Sequence, residues 1–137
     1  MHLELPCSVG HADLVHAVAE QVGRHAGLDD QACLDVGLAV REALVNAMKH
    51  GNGLESSKPV EVLFRVLPEG MEVSIRDRGE GFDPEEVADP TSPENLTRTS
   101  GRGLLIIRSF VDQLRIRRRR GGGTEVVLLK ETKEKVE

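Results

Sequence analysis

The chain has 137 residues, 30% of them charged, and a net charge of −5. This is one domain of ordinary size with room for a hydrophobic core, and its acidic balance argues against nucleic acid, which needs a basic surface to displace counterions. With no Trp or Tyr and three Phe there is no stacking platform for single strands, and no apolar run reaches the roughly 18 residues of a membrane span.

The amino terminus, MHLELPCSVG, has no basic segment followed by an apolar one, so no signal peptide is expected. Residues 2–8 read as a short edge strand. Leu14, Val15, Val18 and Val22 recur at helical spacing, which predicts a helix from His11 to about His25 with Gly27 just past its end. Asp29 or Asp30 caps a second helix running to about His50 and stopped by Gly51-Asn52-Gly53. That helix is apolar over most of its circumference, so it should be central and buried. Cys7 and Cys33 follow no motif and read as small core residues of a reducing cytoplasm.

Two antiparallel strands follow. PVEVLFRVL places Val60, Val62, Phe64 and Val66 on one side. After the turn at Pro68-Glu69-Gly70, MEVSIRDRG places Met71, Val73 and Ile75 facing the same way. Residues 83–102 hold three Pro and no apolar period, a stretch long enough to read as a functional lid. A third helix should begin near Gly103. Two last strands, DQLRIRRRR and GTEVVLLKE, meet at Gly121-Gly122-Gly123, and the tail from about 131 to 137 reads as frayed. No repeat or boundary divides residues 1–137. Helices grouped on one face of a mainly antiparallel mixed sheet make the class α+β, a two-layer α/β sandwich.

Three motifs carry chemistry. In REALVNAMKHGNG, Glu42, Asn46 and His50 are spaced four apart and share a helix face among apolar neighbours. Burying an amide without a hydrogen bond costs roughly 1–3 kcal/mol and an unpaired carboxylate more. Glu42 and Asn46 should therefore look into a polar cavity, whereas His50, at the helix end, can be solvated. In DRGEGFDP, Asp77 closes a strand and Gly79 and Gly81 allow a flat ligand to approach the backbone. In SGRGLLIIRSF, Gly101 and Gly103 precede an apolar helix whose free N–H groups suit an anion. The arginines of RIRRRR, residues 115–120, read as a solvated strand edge or a docking patch for an acidic partner.

This set of motifs, in this order, resembles the GHKL ATP-binding superfamily, and within it the small anti-sigma-factor serine kinases of the RsbW type. EALVNAMKHGN is similar to their N box, DRGEGFDP and GRGLLII to their two glycine boxes, and GGTEVVLLK to the closing Gly-Thr strand. The resemblance implies the Bergerat-type ATP-binding fold. It implies that Asn46 offers an oxygen to Mg²⁺, that Glu42 is the general base, and that Asp77 accepts from the adenine amino group beside Gly79 and Gly81. It implies phosphates on Gly101 and Gly103, Thr124 at the adenine end, and Arg98 or Arg102 reaching the γ-phosphate.

As an activity, the resemblance implies ATP- and Mg²⁺-dependent phosphorylation of a Ser or Thr on a STAS-type anti-sigma-factor antagonist. Partners would be that antagonist and an RNA polymerase sigma factor, the chain acting as a homodimer, with no direct nucleic-acid or membrane contact. The alternative is a non-catalytic ATP-binding partner-switch module.

Overall fold

In a computed structural model of the chain, residues 1–51, 58–79 and 101–132 are described. Strand β1 (His2–Leu5) leads through a 3₁₀ turn (Val9–His11) into helices α1 (Ala12–His25) and α2 (Asp30–Asn46). Strands β2 (Val60–Leu67) and β3 (Gly70–Arg76) form a hairpin, helix α3 (Gly101–Phe110) follows, and β4 (Gln113–Arg118) and β5 (Thr124–Glu131) form a second hairpin. The sheet order is β1-β2-β3-β5-β4, and all four pairings are antiparallel. The expected class is correct, but the sheet is not mixed: both hairpins and the β3–β5 junction run antiparallel, and no described strand pairs in parallel.

Alternation decides which face the helices cover. Cross-strand partners share a face, so Val62 sits beside Ile75 and Val126, and Phe64 beside Val73 and Leu128. These residues join Val15 and Ala19 of α1, Val36, Val40 and Leu44 of α2, and Ile107 of α3 in one core. The opposite face carries a charged row, Glu61–Arg76–Glu125–Arg117, in the same register.

Helix α2 occupies the centre, packed on α1, α3, β3 and β5. The Asp29 side chain caps it, accepting from the Ala32 N–H at 2.8 Å. Both cysteines are free and buried. Burial raises the Cys33 thiol above its ordinary value, with Arg24 pulling weakly the other way, so it packs as a hydrophobe.

Several expected boundaries shift. Regular α-helix ends at Asn46, and a π turn continues it from Ala47 to Gly51. The wider coil leaves the Met48 carbonyl to the Cys7 thiol, which donates to it at 3.7 Å. Helix α3 begins at Gly101, two residues early, so the last two residues of the expected lid are helical. Glu131 is the end of β5 rather than part of a frayed tail, because its N–H is held by Asp112 Oδ2 at 2.7 Å. Leu14 and Val66 are about half exposed. The buried stripe of α1 runs through Ala12, Val15, Ala19 and Gly23 instead, and Val66 lies at the end of β2 beside a shallow apolar cleft lined by Met1, Val22, His25 and Phe64.

Candidate functional site

Asp77 follows the last residue of β3 and is buried. Its backbone continues the ladder, the N–H donating to the Thr124 carbonyl at 3.0 Å. Its carboxylate is held by two backbone donors, Gly79 N–H at 3.0 Å and Thr124 N–H at 3.1 Å. Both bonds fall on Oδ1. Burial raises the Asp77 carboxyl above its ordinary value, against the pull of those two hydrogen bonds and of the Arg119 guanidinium.

The glycine turn of the second hairpin closes on this residue. Gly121, Gly122 and Gly123 all have positive φ, at 84°, 112° and 95°. A Cβ at Gly123 would stand 2.1 Å from the Asp77 carbonyl oxygen, so the turn touches the Asp77 backbone with nothing between. Arg119 completes the join: its Nη1 donates to the same carbonyl at 2.8 Å and its N–H to the Gly123 carbonyl at 2.9 Å. Gly123→Ala is expected to destabilise the fold by at least about 2 kcal/mol, since the substitution meets both left-handed strain and a backbone clash. A drop in the denaturant midpoint for Gly123→Ala, with Gly121→Ala much milder because nothing lies within 4 Å of its Cβ position, would show it.

Glu42 and Asn46 lie one turn apart on α2, both half-buried, among the fully buried Val40, Ala43, Leu44 and Met48. Two polar atoms in this part of the fold are buried without any hydrogen-bond partner: Asn46 Nδ2 and Thr124 Oγ1. Native folds rarely leave such atoms unmet unless a ligand or water meets them. Thr124 shares the helix-facing side of the sheet with Val126 and Leu128, and α2 packs on β3 and β5, the strands that present Asp77 and Thr124.

Of the expected site residues, Asp77, Gly79 and Thr124 are joined directly by hydrogen bonds, and Glu42 and Asn46 share one helix. Gly101 and Gly103 lie in the first turn of α3, which packs on α2. Arg102 belongs to the same turn by its backbone; its side chain, like that of His50, lies outside the described residues, as do Gly81, Arg98 and most of the expected lid. The sequence reading missed Gly123 and Arg119. Three successive glycines announce a turn, but nothing local says that the turn rests on residue 77.

On the open face, Glu125 is buried and bridges two arginines, accepting from Arg76 Nε at 2.8 Å and from Arg117 Nε at 3.0 Å. Burial alone would raise its carboxyl; the Arg76 and Arg117 guanidinium groups outweigh it and hold the group below its ordinary value. A lowered folded value contributes stability that is complete above the unfolded value, about 4.3 for glutamate, and is lost as pH falls through the folded one. Asp77, shifted upward, acts oppositely, its cost being relieved on acidification. Glu125→Gln should therefore flatten the acid limb of stability against pH. Urea midpoints measured from neutrality downward that keep the parental slope in Glu125→Gln would refute this.

Comparison with known proteins places this geometry. The model of the histidine kinase-like ATPase domain family matches residues 5–130. The serine-protein kinase RsbW of Oceanobacillus iheyensis is 25% identical over 127 residues, covering 88% of this chain and 80% of that protein. RsbW of Listeria innocua is 27% identical over 139 residues, covering 97% and 87%. Among solved structures, one of the RsbU and RsbW domains of a Mycobacterium tuberculosis protein superposes with a TM-score of 0.62 at 20% identity, over 96% of this chain and 32% of that one. The histidine kinase domain of a blue-light-activated kinase from Erythrobacter litoralis gives 0.56 at 21%, over 90% and 59%. The chain thus spans about a third of the first solved chain and under two thirds of the second, and both share its fold.

Proposed function

Because the chain belongs to the histidine kinase-like ATPase domain family, we propose that it is an ATP- and Mg²⁺-dependent protein serine/threonine kinase of the RsbW kind. Its substrate in this reading is a Ser or Thr on a STAS-type anti-sigma-factor antagonist. In the same reading it sequesters an RNA polymerase sigma factor, acting in the cytoplasm as a homodimer and switching between the two partners. Among the described residues, no helix is long and apolar enough to cross a membrane.

The observation that carries the nucleotide reading is the pair of buried, unpartnered atoms, Asn46 Nδ2 and Thr124 Oγ1, together with the buried Asp77 carboxylate, whose Oδ1 is held by two backbone donors and whose Oδ2 would meet the ligand. A flat base with an exocyclic amino group suits Asp77, with Thr124 and Gly79 at its edge. The α3 amino terminus at Gly101 and Gly103 suits phosphate oxygens. Arg98 or Arg102 supplies a cation to the γ-phosphate.

The residues also fit a hard cation. A carboxamide on a buried helix face offers the sparse protein oxygen that Mg²⁺ accepts when phosphates and waters complete its shell. Asn46 would hold the ion, and bound Mg²⁺ would neutralise charge on the transferring phosphoryl group. Glu42 would orient the attacking hydroxyl and take its proton at the carboxylate as the oxygen bonds to the γ-phosphorus and the bond to the departing ADP oxygen breaks.

The test is transfer of the γ-label from ATP to a candidate antagonist. Label on a Ser or Thr of the antagonist, dependent on this chain and on Mg²⁺, is the expected result. Tight Mg-ATP binding with no label on any antagonist would make the chain the non-catalytic partner-switch module instead, and failure to bind Mg-ATP at millimolar concentration would end the nucleotide reading.

A further inference from the structure

Arg119 directly follows β4, and its side chain is three-quarters buried. Its Nη1 donates to the Asp77 carbonyl at 2.8 Å, and its Nη2 meets Glu61 Oε1 at 3.4 Å. Glu61 belongs to the open face of the sheet, and its Oε2 lies 3.2 Å from His2 Nε2. The arginine backbone is tied to the turn as well, its N–H donating to the Gly123 carbonyl and its own carbonyl accepting from Gly122. A guanidinium anchored through two nitrogens is held as a plane and passes its orientation to whatever it bonds.

The oxygen it holds belongs to the peptide that joins Asp77 to Arg78. The glycine turn lies against that same peptide: a Cβ at Gly123 would stand 2.1 Å from the Asp77 carbonyl oxygen, 2.9 Å from its carbon and 3.1 Å from the Arg78 Cα. One residue further on, the Gly79 N–H donates to Asp77 Oδ1 at 3.0 Å. A peptide unit is planar and turns as a whole, so rotating this one moves the chain that carries the Gly79 donor. Without Arg119 the buried Asp77 carbonyl is unmet, which is costly enough to turn the peptide towards another donor. Thr124 N–H alone, at 3.1 Å, would then leave the carboxylate free to rotate about its Cβ–Cγ bond. Charge acts in the same sense: burial raises the Asp77 carboxyl, and the guanidinium is among the groups that oppose this and favour the ionised acceptor.

From this geometry we infer that Arg119 is a positioning residue for base discrimination, acting through the Asp77–Arg78 peptide to aim the Asp77 carboxylate at an exocyclic amino group. In the proposed arrangement it touches no part of the nucleotide. The inference rests on the nucleotide reading and adds to it the group that decides how strictly a 6-aminopurine is preferred to a 6-oxopurine.

Calorimetric dissociation constants for the Mg²⁺ complexes of ATP and inosine triphosphate test it, taken as the ratio of the second to the first. The parent chain should prefer ATP, because the 6-oxo group offers an acceptor where Asp77 needs a donor. Arg119→Met should lower the ratio by about tenfold or more, and Arg119→Lys, which keeps a charged donor for the carbonyl, should restore it to within about threefold of the parent. A purely structural role would weaken both nucleotides by the same factor and leave the ratio unchanged; that result overturns the assignment. Where Arg119→Met does not fold, Glu61→Ala is the second variant. It removes the outer anchor of the guanidinium and should lower the ratio about threefold, and an unchanged ratio there overturns the assignment too. A parent chain that binds neither nucleotide, or both alike, overturns the nucleotide reading and this assignment with it. A parent that prefers ATP while the variants keep the preference ends this assignment alone.

Discussion

Glu42→Ala should abolish phosphoryl transfer and leave nucleotide binding nearly intact. A positioned general base contributes about 10²–10⁴-fold, so the rate of labelling is expected to fall by that factor while the dissociation constant for Mg-ATP moves by less than about threefold. The reason for the split is position. Glu42 lies a full turn before Asn46 on α2, where in the proposed arrangement it meets the acceptor hydroxyl rather than the nucleotide. Its side chain is half-buried and, among the described residues, no hydrogen bond or ion pair fixes it, so truncation should cost stability little, within about 0.5 kcal/mol. Glu42→Gln keeps the shape and removes the base, and should be as inactive as the alanine variant. A Glu42→Gln enzyme that labels the antagonist at the parental rate would transfer the role to another group.

The second large effect concerns recognition of the base. Asp77→Asn is expected to raise the dissociation constant for ATP by about 100-fold or more, because the acceptor proposed for adenine becomes a donor facing its amino group and a buried mismatch costs about 3 kcal/mol. The fold should survive. The asparagine carbonyl oxygen can still accept from Gly79 and Thr124, and the substitution removes a carboxylate whose ionisation burial already opposes. Thermal stability should therefore hold or rise as affinity collapses. Asp77→Ala differs: it strands both backbone donors and should lower stability as well, by about 1–3 kcal/mol for each unmet buried group. Near-parental ATP affinity in Asp77→Asn, measured by calorimetry, would remove Asp77 from the base pocket.

Both predictions rest on residues that the sequence announces, and it is instructive where that legibility stops. Val60, Val62 and Phe64 alternate strictly and yield β2, its buried face and its pairing with β3, because the signal lies within one strand and its neighbour. Asp29 and Gly27 mark the ends of α2 and α1 through chemistry that acts over three or four residues. The π turn is invisible by contrast: Ala47 and Met48 continue the apolar pattern, and both stay buried, so no residue type betrays the wider coil that follows Asn46. Helix turns of this kind often mark functional sites, and here it directly follows the residue proposed to hold the cation. Arg119 is one of five arginines between residues 115 and 120, and nothing local sets it apart. Its difference from Arg117 and Arg118 is set by contacts with Asp77 and Glu61, which lie 42 and 58 residues away, and composition cannot encode such distances. Gly101 as the true start of α3 was missed by two residues because glycine is a poor helix former, and tertiary packing on α2 overrides the propensity.

The pairing of β3 with β5 has a consequence for how the protein is made. Asp77 and Thr124, whose mutual hydrogen bonds join β3 to β5, are 47 residues apart, and β5 follows every other described strand in the chain. A nascent polypeptide will already expose Glu42, Asn46 and Asp77 while still lacking the wall that Thr124 and the glycine turn provide. Such late, long-range closure is slow compared with helix formation. In the proposed reading, nucleotide capture therefore waits until β5 has paired with β3.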